Sequence, residues 1–298
     1  MRPRKGRRLA DSEQEGTLVK DVFHGQDIEL LRRLHDKAKW VRRETLRIHQ
    51  LAPETRIASC LSDVEVFVAL YYGGILKYDP RNPRWEERDR LVVSKGHGGI
   101  SLYPILADVG FFPPEELPRV CQQGSFLGAI PDILIPGIET TNGSLGHGLG
   151  VACGMALGLA RKRSDACVFV LVGDGELYEG SVWEAVMFAG HHRLSNLVLV
   201  VDHNRRSMLG YCRDIIDLAP LEEKLRAFRW QVVTVDGHDV GEVHGTLAKF
   251  KEADGGRPKA LMANTVKGKG VPELENDPMC HVRSLSEQAA TAAIERLR

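Results

Sequence analysis

Directly after the apolar run Val168 to Val172 the chain reads Gly173-Asp174-Gly175-Glu176, followed by Glu179-Gly180. Directly after the next apolar run, Leu197 to Val201, it reads Asp202-His203-Asn204. Asp174 and Asn204 stand thirty residues apart, about the length of one crossover between neighbouring parallel strands, so both fall on one edge of a sheet. A carboxylate and an amide oxygen, with positions left for phosphate oxygens, form the hard-oxygen set that Mg²⁺ or Ca²⁺ takes up. Gly173 and Gly175 let backbone N–H groups approach a diphosphate that the metal bridges. Taken alone, Gly-Asp-Gly is equally a tight turn and Asn204 a turn residue; the paired placement is what marks them. His191 and His192 look like a metal pair, but adjacent residues face different sides of a helix, and they read as ordinary solvated or core histidines.

The elements around these residues follow from periodicity. Ile28 to Gln50 spaces its apolar residues helically, with Leu31, Leu34, Ala38 and Val41 on one stripe. Leu61 to Tyr72 is a second helix, capped by Ser62 or Asp63 and stopped at Gly73-Gly74. Arg90 to Ser94 is a short strand that runs into the glycine turn Lys95 to Gly99. Gly143 to Ala160 is a helix of small residues that suits a tightly packed centre or an interface. Val168 to Val172 and Leu197 to Val201 are apolar without alternation, as strands covered on both faces are. The helix Gly180 to Gly190 joins them, and Gln231 to Val235, Val240 to Lys251 and Lys259 to Thr265 add strand, helix and strand before the Lys267 to Gly270 turn. This alternation gives an α/β fold, a parallel β-sheet flanked by helices. Ligands of such sheets bind beyond the carboxyl ends of the strands, which selects His97, Asp174, Asn204 and Lys267.

Composition sets the outer limits. The 298 residues carry 40 Lys+Arg against 40 Asp+Glu, so no global field draws in nucleic acid or an anionic membrane. The longest apolar runs fall far short of the roughly 20 residues that span a bilayer. Residues 1–20 read as a basic, polar, flexible tail and 21–298 as the α/β domain. Six cysteines without a CxxC pair fit reduced thiols in a cytoplasmic protein.

The stretch from Gly173 to Asn204 resembles the thiamin-diphosphate signature of the transketolase family. Three other segments resemble the family in its order: 78–97, which ends in SKGH, 136–158, which contains GSLG, and 264–276, which contains KGKG. The resemblance implies the diphosphate-binding domain of the thiamin-diphosphate fold. It implies that Asp174 and Asn204, with the backbone carbonyl of Arg206, hold Mg²⁺ (or Ca²⁺), and that Gly173, Gly175 and Glu176 lie in the diphosphate motif. It places His97 near the diphosphate and substrate channel, and Gly143 and Leu145 against the aminopyrimidine. Glu179 matches a carboxylate that relays protons between the two active sites of a dimer, and His281 a histidine of substrate binding and proton transfer. Blander readings stand beside these: His97 as a cap on a glycine turn, and Glu179 as a helix N-terminal carboxylate.

The chain also departs from the family's pattern. The segment that carries the first substrate histidine reads here as RIASCLSDVEVFVALYY with no histidine, and Ala129 stands where a second would read the donor's hydroxyl. A site without those groups should not favour an ordinary ketose phosphate donor. Nothing in the chain resembles the pyrimidine-binding half of a complete transketolase, so thiamin diphosphate needs that half from elsewhere. The expectation is one subunit of a split transketolase that moves a two-carbon unit from a ketose-type donor to an aldehyde acceptor. Its partner would be a C-terminal, pyrimidine-domain transketolase subunit in an α2β2 heterotetramer. The alternatives are an α-keto acid donor and a non-catalytic partner subunit.

Overall fold

Short apolar runs rich in valine and leucine, each ending at a polar or glycine residue, build the sheet that carries the site. The computed structural model describes residues 25–298 apart from Leu209 and Asp254, so the tail expected over 1–20 lies outside the described residues. In chain order the first elements are α1 (Gly25–Leu51), α2 (Ile57–Leu61), α3 (Val64–Tyr72), β1 (Arg90–Val93), α4 (Leu102–Asp108), α5 (Gly148–Arg161), β2 (Val168–Gly173) and α6 (Gly180–His192). They continue with β3 (Leu197–His203), α7 (Cys212–Ile215), α8 (Leu221–Ala227), β4 (Gln231–Asp236), α9 (Val240–Glu252), β5 (Lys259–Asn264), α10 (Pro272–Glu275) and α11 (Glu287–Arg296).

Among the described residues five strands run parallel in the order β1-β2-β3-β5-β4. Alternate residues feed two cores. Leu91, Val93, Phe169, Leu171, Val198, Val200 and Leu261 pack with α1, α3, α4 and α9 on one face. Val92, Val168, Val170, Val172, Leu199, Val201 and Met262 pack with α5, α6 and α8 on the other. Burial on both faces is why these strands lack polar alternation, and each such side chain contributes about 1.5–3 kcal/mol. A third cluster ties α2 through Ile57, Ala58 and Leu61 to Val271, Leu274, Cys280 and α11. Among the described residues no helix is long and apolar enough to cross a membrane.

Two expected helices begin elsewhere. The run expected from Leu61 to Tyr72 is broken at Ser62-Asp63 into α2 and α3. Ser62 turns inward to donate to Asp202 at 2.7 Å, and Asp63 forms an ion pair with Lys95 at 3.0 Å instead of capping the helix. The small-residue helix starts at Gly148 rather than Gly143, because Gly146 adopts φ +87°, a left-handed conformation that ends regular structure.

That turn brings Gly146 against Glu179 and Ser181: a Cβ there would lie 2.6 Å from Glu179 Cβ and 2.7 Å from Ser181 Oγ. Gly146→Ala is therefore expected to cost about 1–3 kcal/mol and to lower the thermal midpoint at about 2–4 °C per kcal/mol. Gly150→Ala, just inside α5 with nothing near its Cβ, should leave the midpoint unchanged or raise it. Calorimetric melting of the two variants reads the contrast directly.

Candidate active site

The carboxyl ends of β1, β2, β3 and β5 open into a cavity of about 480 Å³. His97, Gly143, Leu145, Gly173, Asp174, Gly175, Glu176, Glu179, Asn204, Arg206 and His281 all line it, so every site residue expected from the sequence meets in one place. Lys267, noted for its place after a strand, lines it too, together with Ser59, Lys95, Tyr178, Ser207, Met208 and Ile215. A second hollow of about 530 Å³ lies beside it, bordered by Tyr211, Cys212 and Leu218, and shares Asp174, Asn204 and Arg206 as a wall.

The parallel register sets Gly173 opposite Asp202 and His203 opposite Asn264, which brings Asp174 and Asn204 to the same edge. Asp174 is buried; its Oδ1 accepts Gly175 N–H at 2.8 Å and its Oδ2 accepts Arg205 N–H. Burial first, and then repulsion from Asp202, pushes its carboxyl up to about 7. Asn204 turns its Nδ2 to Asp202 Oδ2 at 3.0 Å and its Oδ1 to Arg206 N–H at 3.0 Å. Among the described residues no three His, Cys, Asp or Glu side chains gather as a metal centre. The donor set is instead one carboxylate, one amide oxygen and the Arg206 carbonyl. A carboxylate raised by burial and by the Asp202 charge gains from a cation, so these oxygens fit Mg²⁺.

The glycine N–H groups expected to face a diphosphate are differently employed. Gly175 N–H goes to Asp174, and Gly173 N–H goes to Glu176 Oε2 at 3.2 Å. Each is captured by a carboxylate close by in the chain, as short acidic side chains capture nearby backbone donors. Glu176 also accepts Ser94 Oγ–H and, at 2.9 Å, Gly146 N–H. It is 2% exposed, and it clamps the end of β1, the 143–148 loop and the end of β2 together. A Cβ at Gly175 would lie 3.2 Å from Ser207 Cβ, so a side chain there would push Ser207 back by a few tenths of an ångström.

Below the cavity lies a group that the sequence pattern did not single out. Lys95 is 2% exposed; its ammonium sits 3.0 Å from Asp63, against Asp202, and donates to Ser59 O at 3.1 Å. Burial alone would raise Asp202, but Lys95 overrides it and holds that carboxyl down to about 2; Asp63, raised by burial to about 7, is the surplus negative charge. The signal was the lysine directly after β1, within Ser-Lys-Gly-His, and the Ser-Asp that breaks a helical run.

His97 and His281 face each other with ring centroids 5.0 Å apart. Burial first, then the cations Lys95 and Lys267, keep His97 neutral far below its ordinary range; burial with Lys267 and Arg56 takes His281 down to about 3. Lys267 Nζ lies 2.9 Å from His281 Nδ1, so Nδ1 accepts and Nε2 carries the proton. Glu179 is exposed at the start of α6 and lines the cavity.

Residues 57–297 match the family described as transketolase, thiamine diphosphate binding domain. The chain belongs to that transketolase family. It is 40% identical over 265 residues to the 6-deoxy-6-sulfo-D-fructose transketolase subunit SqwG of Clostridium sp., covering 89% of this chain and 96% of that protein. It is 36% identical to one of the apulose-4-phosphate transketolase subunits of Actinobacillus succinogenes, covering 89% and 96% respectively. The transketolase structure from Campylobacter jejuni superposes with a TM-score of 0.84 at 30% identity, over 89% of this chain; the chain spans 43% of that transketolase. Its parallel sheet is thus the thiamin-diphosphate-binding fold of transketolases.

The neutral histidines give this transketolase domain a pH signature. His281, at 6.5 when unfolded and about 3 when folded, favours the folded state above 6.5 and loses that contribution as pH falls toward 3. Asp63 and Asp174, raised when folded, act in the opposite sense between about 7 and 4. The wild type should therefore lose stability relative to His281→Gln as pH is lowered from 6.5, read as the difference between the two proteins' denaturant midpoints. A constant difference across that range would mean that His281 takes up its proton when folded just as it does when unfolded.

Proposed function

We propose that this chain is the diphosphate-binding subunit of a split thiamin-diphosphate-dependent transketolase, completed by a separate pyrimidine-domain subunit. The observation that carries the reading is one of extent. The chain covers 96% of two transketolase subunits but 44% of the human transketolase, to which it is 34% identical.

Asp174, Asn204 and the Arg206 carbonyl would hold Mg²⁺ against the diphosphate. Thiamin diphosphate, when bound, supplies the carbon nucleophile and electron sink that let a bond beside the donor carbonyl break. The chain's own residues orient and move protons. His97 and His281, neutral and adjacent, can each take or give a proton at the donor's oxygens, with His281 held as the Nε2–H tautomer by Lys267. Gly143 and Leu145 offer an apolar wall for the pyrimidine ring, and Glu179 stands exposed where a relay toward a second active site would leave this chain. Glu176 keeps the wall closed through Ser94, Gly146 and Gly173.

Two features support an α2β2 assembly. α5 leaves Gly150, Gly154 and Gly158 with nothing within 4 Å of their Cβ positions, and α6 beside it exposes Met187 and Phe188, a surface suited to close packing by another chain. Six free cysteines support a cytoplasmic setting. The half-buried Ala129 and the histidine-free α2 support a donor other than an ordinary ketose phosphate. The names of the relatives, a sulfo-fructose and an apulose-4-phosphate transketolase subunit, point the same way.

Co-purification with the candidate partner, followed by calorimetric titration of thiamin diphosphate with Mg²⁺, tests the reading. Tight binding is expected in the mixture, with Asp174→Ala weakening it by more than about 100-fold, beyond the usual loss for an outer-shell partner. No binding in any combination would refute the cofactor role. Unchanged turnover by the Asp174→Ala complex would leave this chain a non-catalytic partner.

A further inference from the structure

Asparagine can ligate a hard cation through its amide oxygen only; turned over, it presents an NH2 group that repels the ion. The two ends of the Asn204 amide are not interchangeable here. Its Nδ2 faces Asp202 Oδ2 and its Oδ1 faces the Arg206 N–H, both at 3.0 Å. A flipped amide would set oxygen against carboxylate and NH2 against N–H.

Asp202 is itself immobilised. It is 1% exposed, its Oδ1 accepts Thr265 Oγ–H, and its Oδ2 accepts Ser62 Oγ–H at 2.7 Å together with the Lys95 ammonium. Lys95 donates to Asp202 and to the Ser59 carbonyl and forms an ion pair with Asp63 at 3.0 Å. Although its stem lines the cavity wall, its charge is therefore spent on Asp202 and Asp63 rather than on a ligand.

We propose that Asp202, anchored by Lys95, is a positioning residue that fixes the Asn204 amide with its oxygen committed to the cation shared with Asp174. The inference rests on the metal-bridged diphosphate reading above. Asp202 acts as an acceptor-only group facing an NH2, the one arrangement that leaves Asn204 Oδ1 on the side of Arg206. A neutral amide at position 202 offers an acceptor at one end only and carries no charge, so it holds the Asn204 NH2 less firmly than the carboxylate does.

Asp202→Asn keeps the shape and removes one of two buried carboxylates around Lys95. In the assembled complex it is expected to weaken Mg²⁺-dependent thiamin diphosphate binding by about 10- to 100-fold, measured by calorimetry. The cofactor-free chain should melt within a few degrees of wild type, since Lys95 keeps Asp63. The decisive measurement is a rescue: Asp202→Asn combined with Asn204→Asp, whose carboxylate presents an oxygen either way round, should recover most of the lost affinity. A purely structural role predicts a lower melting temperature and no rescue. Wild-type affinity in Asp202→Asn, or a folded double variant no better than the single one, would overturn the proposal. Ser62→Ala, which removes one donor to Asp202, should give a smaller loss of affinity; it serves where Asp202→Asn does not fold, and no loss there counts equally against the proposal. A wild-type complex without Mg²⁺-dependent binding would instead defeat the cofactor reading, and the inference with it.

Discussion

The buried ammonium of Lys95, held between Asp63 and Asp202, is the contact on which the other parts of this molecule depend. Taking a lysine to 2% exposure and two aspartates to 1% or less costs several kcal/mol per ion, and only their mutual geometry offsets it. That geometry needs four separate pieces of chain. Lys95 follows β1, Asp63 starts α3, Asp202 lies near the end of β3, and Thr265 follows β5. Displacing Lys95 would leave two buried carboxylates without their cation, an outcome far costlier than losing an apolar contact. The break between α2 and α3 follows: a continuous helix would point Ser62 and Asp63 away from the charges they serve.

Above this group the cavity is divided electrostatically. One wall offers oxygen: Asp174, Asn204 and the Arg206 carbonyl. The other offers Lys267 and two histidines kept neutral by burial and by the cations around them. An anionic ligand bridged by a divalent ion satisfies both walls, whereas a bare anion would meet Asp174 and a bare cation would meet Lys267. Burial pushes Asp174 up and Lys267 down, as expected where two groups wait for charges of opposite sign.

Much of this was legible in the sequence because strands covered on both faces leave an unmistakable record: apolar runs such as Val168 to Val172 that end in chemistry. Every strand and the convergence of Asp174, Asn204, His97 and His281 followed from that pattern and from the resemblance it supports. What stayed hidden depends on where side chains turn. Ser62 and Asp63 read locally as helix caps, and only long-range burial shows that they serve Lys95. Gly173 and Gly175 read as open N–H donors, yet the neighbouring carboxylates of Glu176 and Asp174 reach those hydrogens first. The helix start at Gly148 depended on a left-handed Gly146, which the run of small residues does not announce.

The departures from the transketolase pattern have a structural location that explains why they are tolerated. Asp174 and Asn204 stand just past the ends of β2 and β3, and Asn204 is bound to the Lys95 group through Asp202. The segments that lack histidine include α2, which serves Lys95 through the backbone carbonyl of Ser59, and the loop through Ala129, whose Ile130 rests near Gly96 and Gly143. A backbone carbonyl is present whatever side chain stands beside it, so these segments can change their chemistry without disturbing a buried charge. These two segments can therefore change while the Lys95 group and the strand ends that carry Asp174 and Asn204 stay fixed.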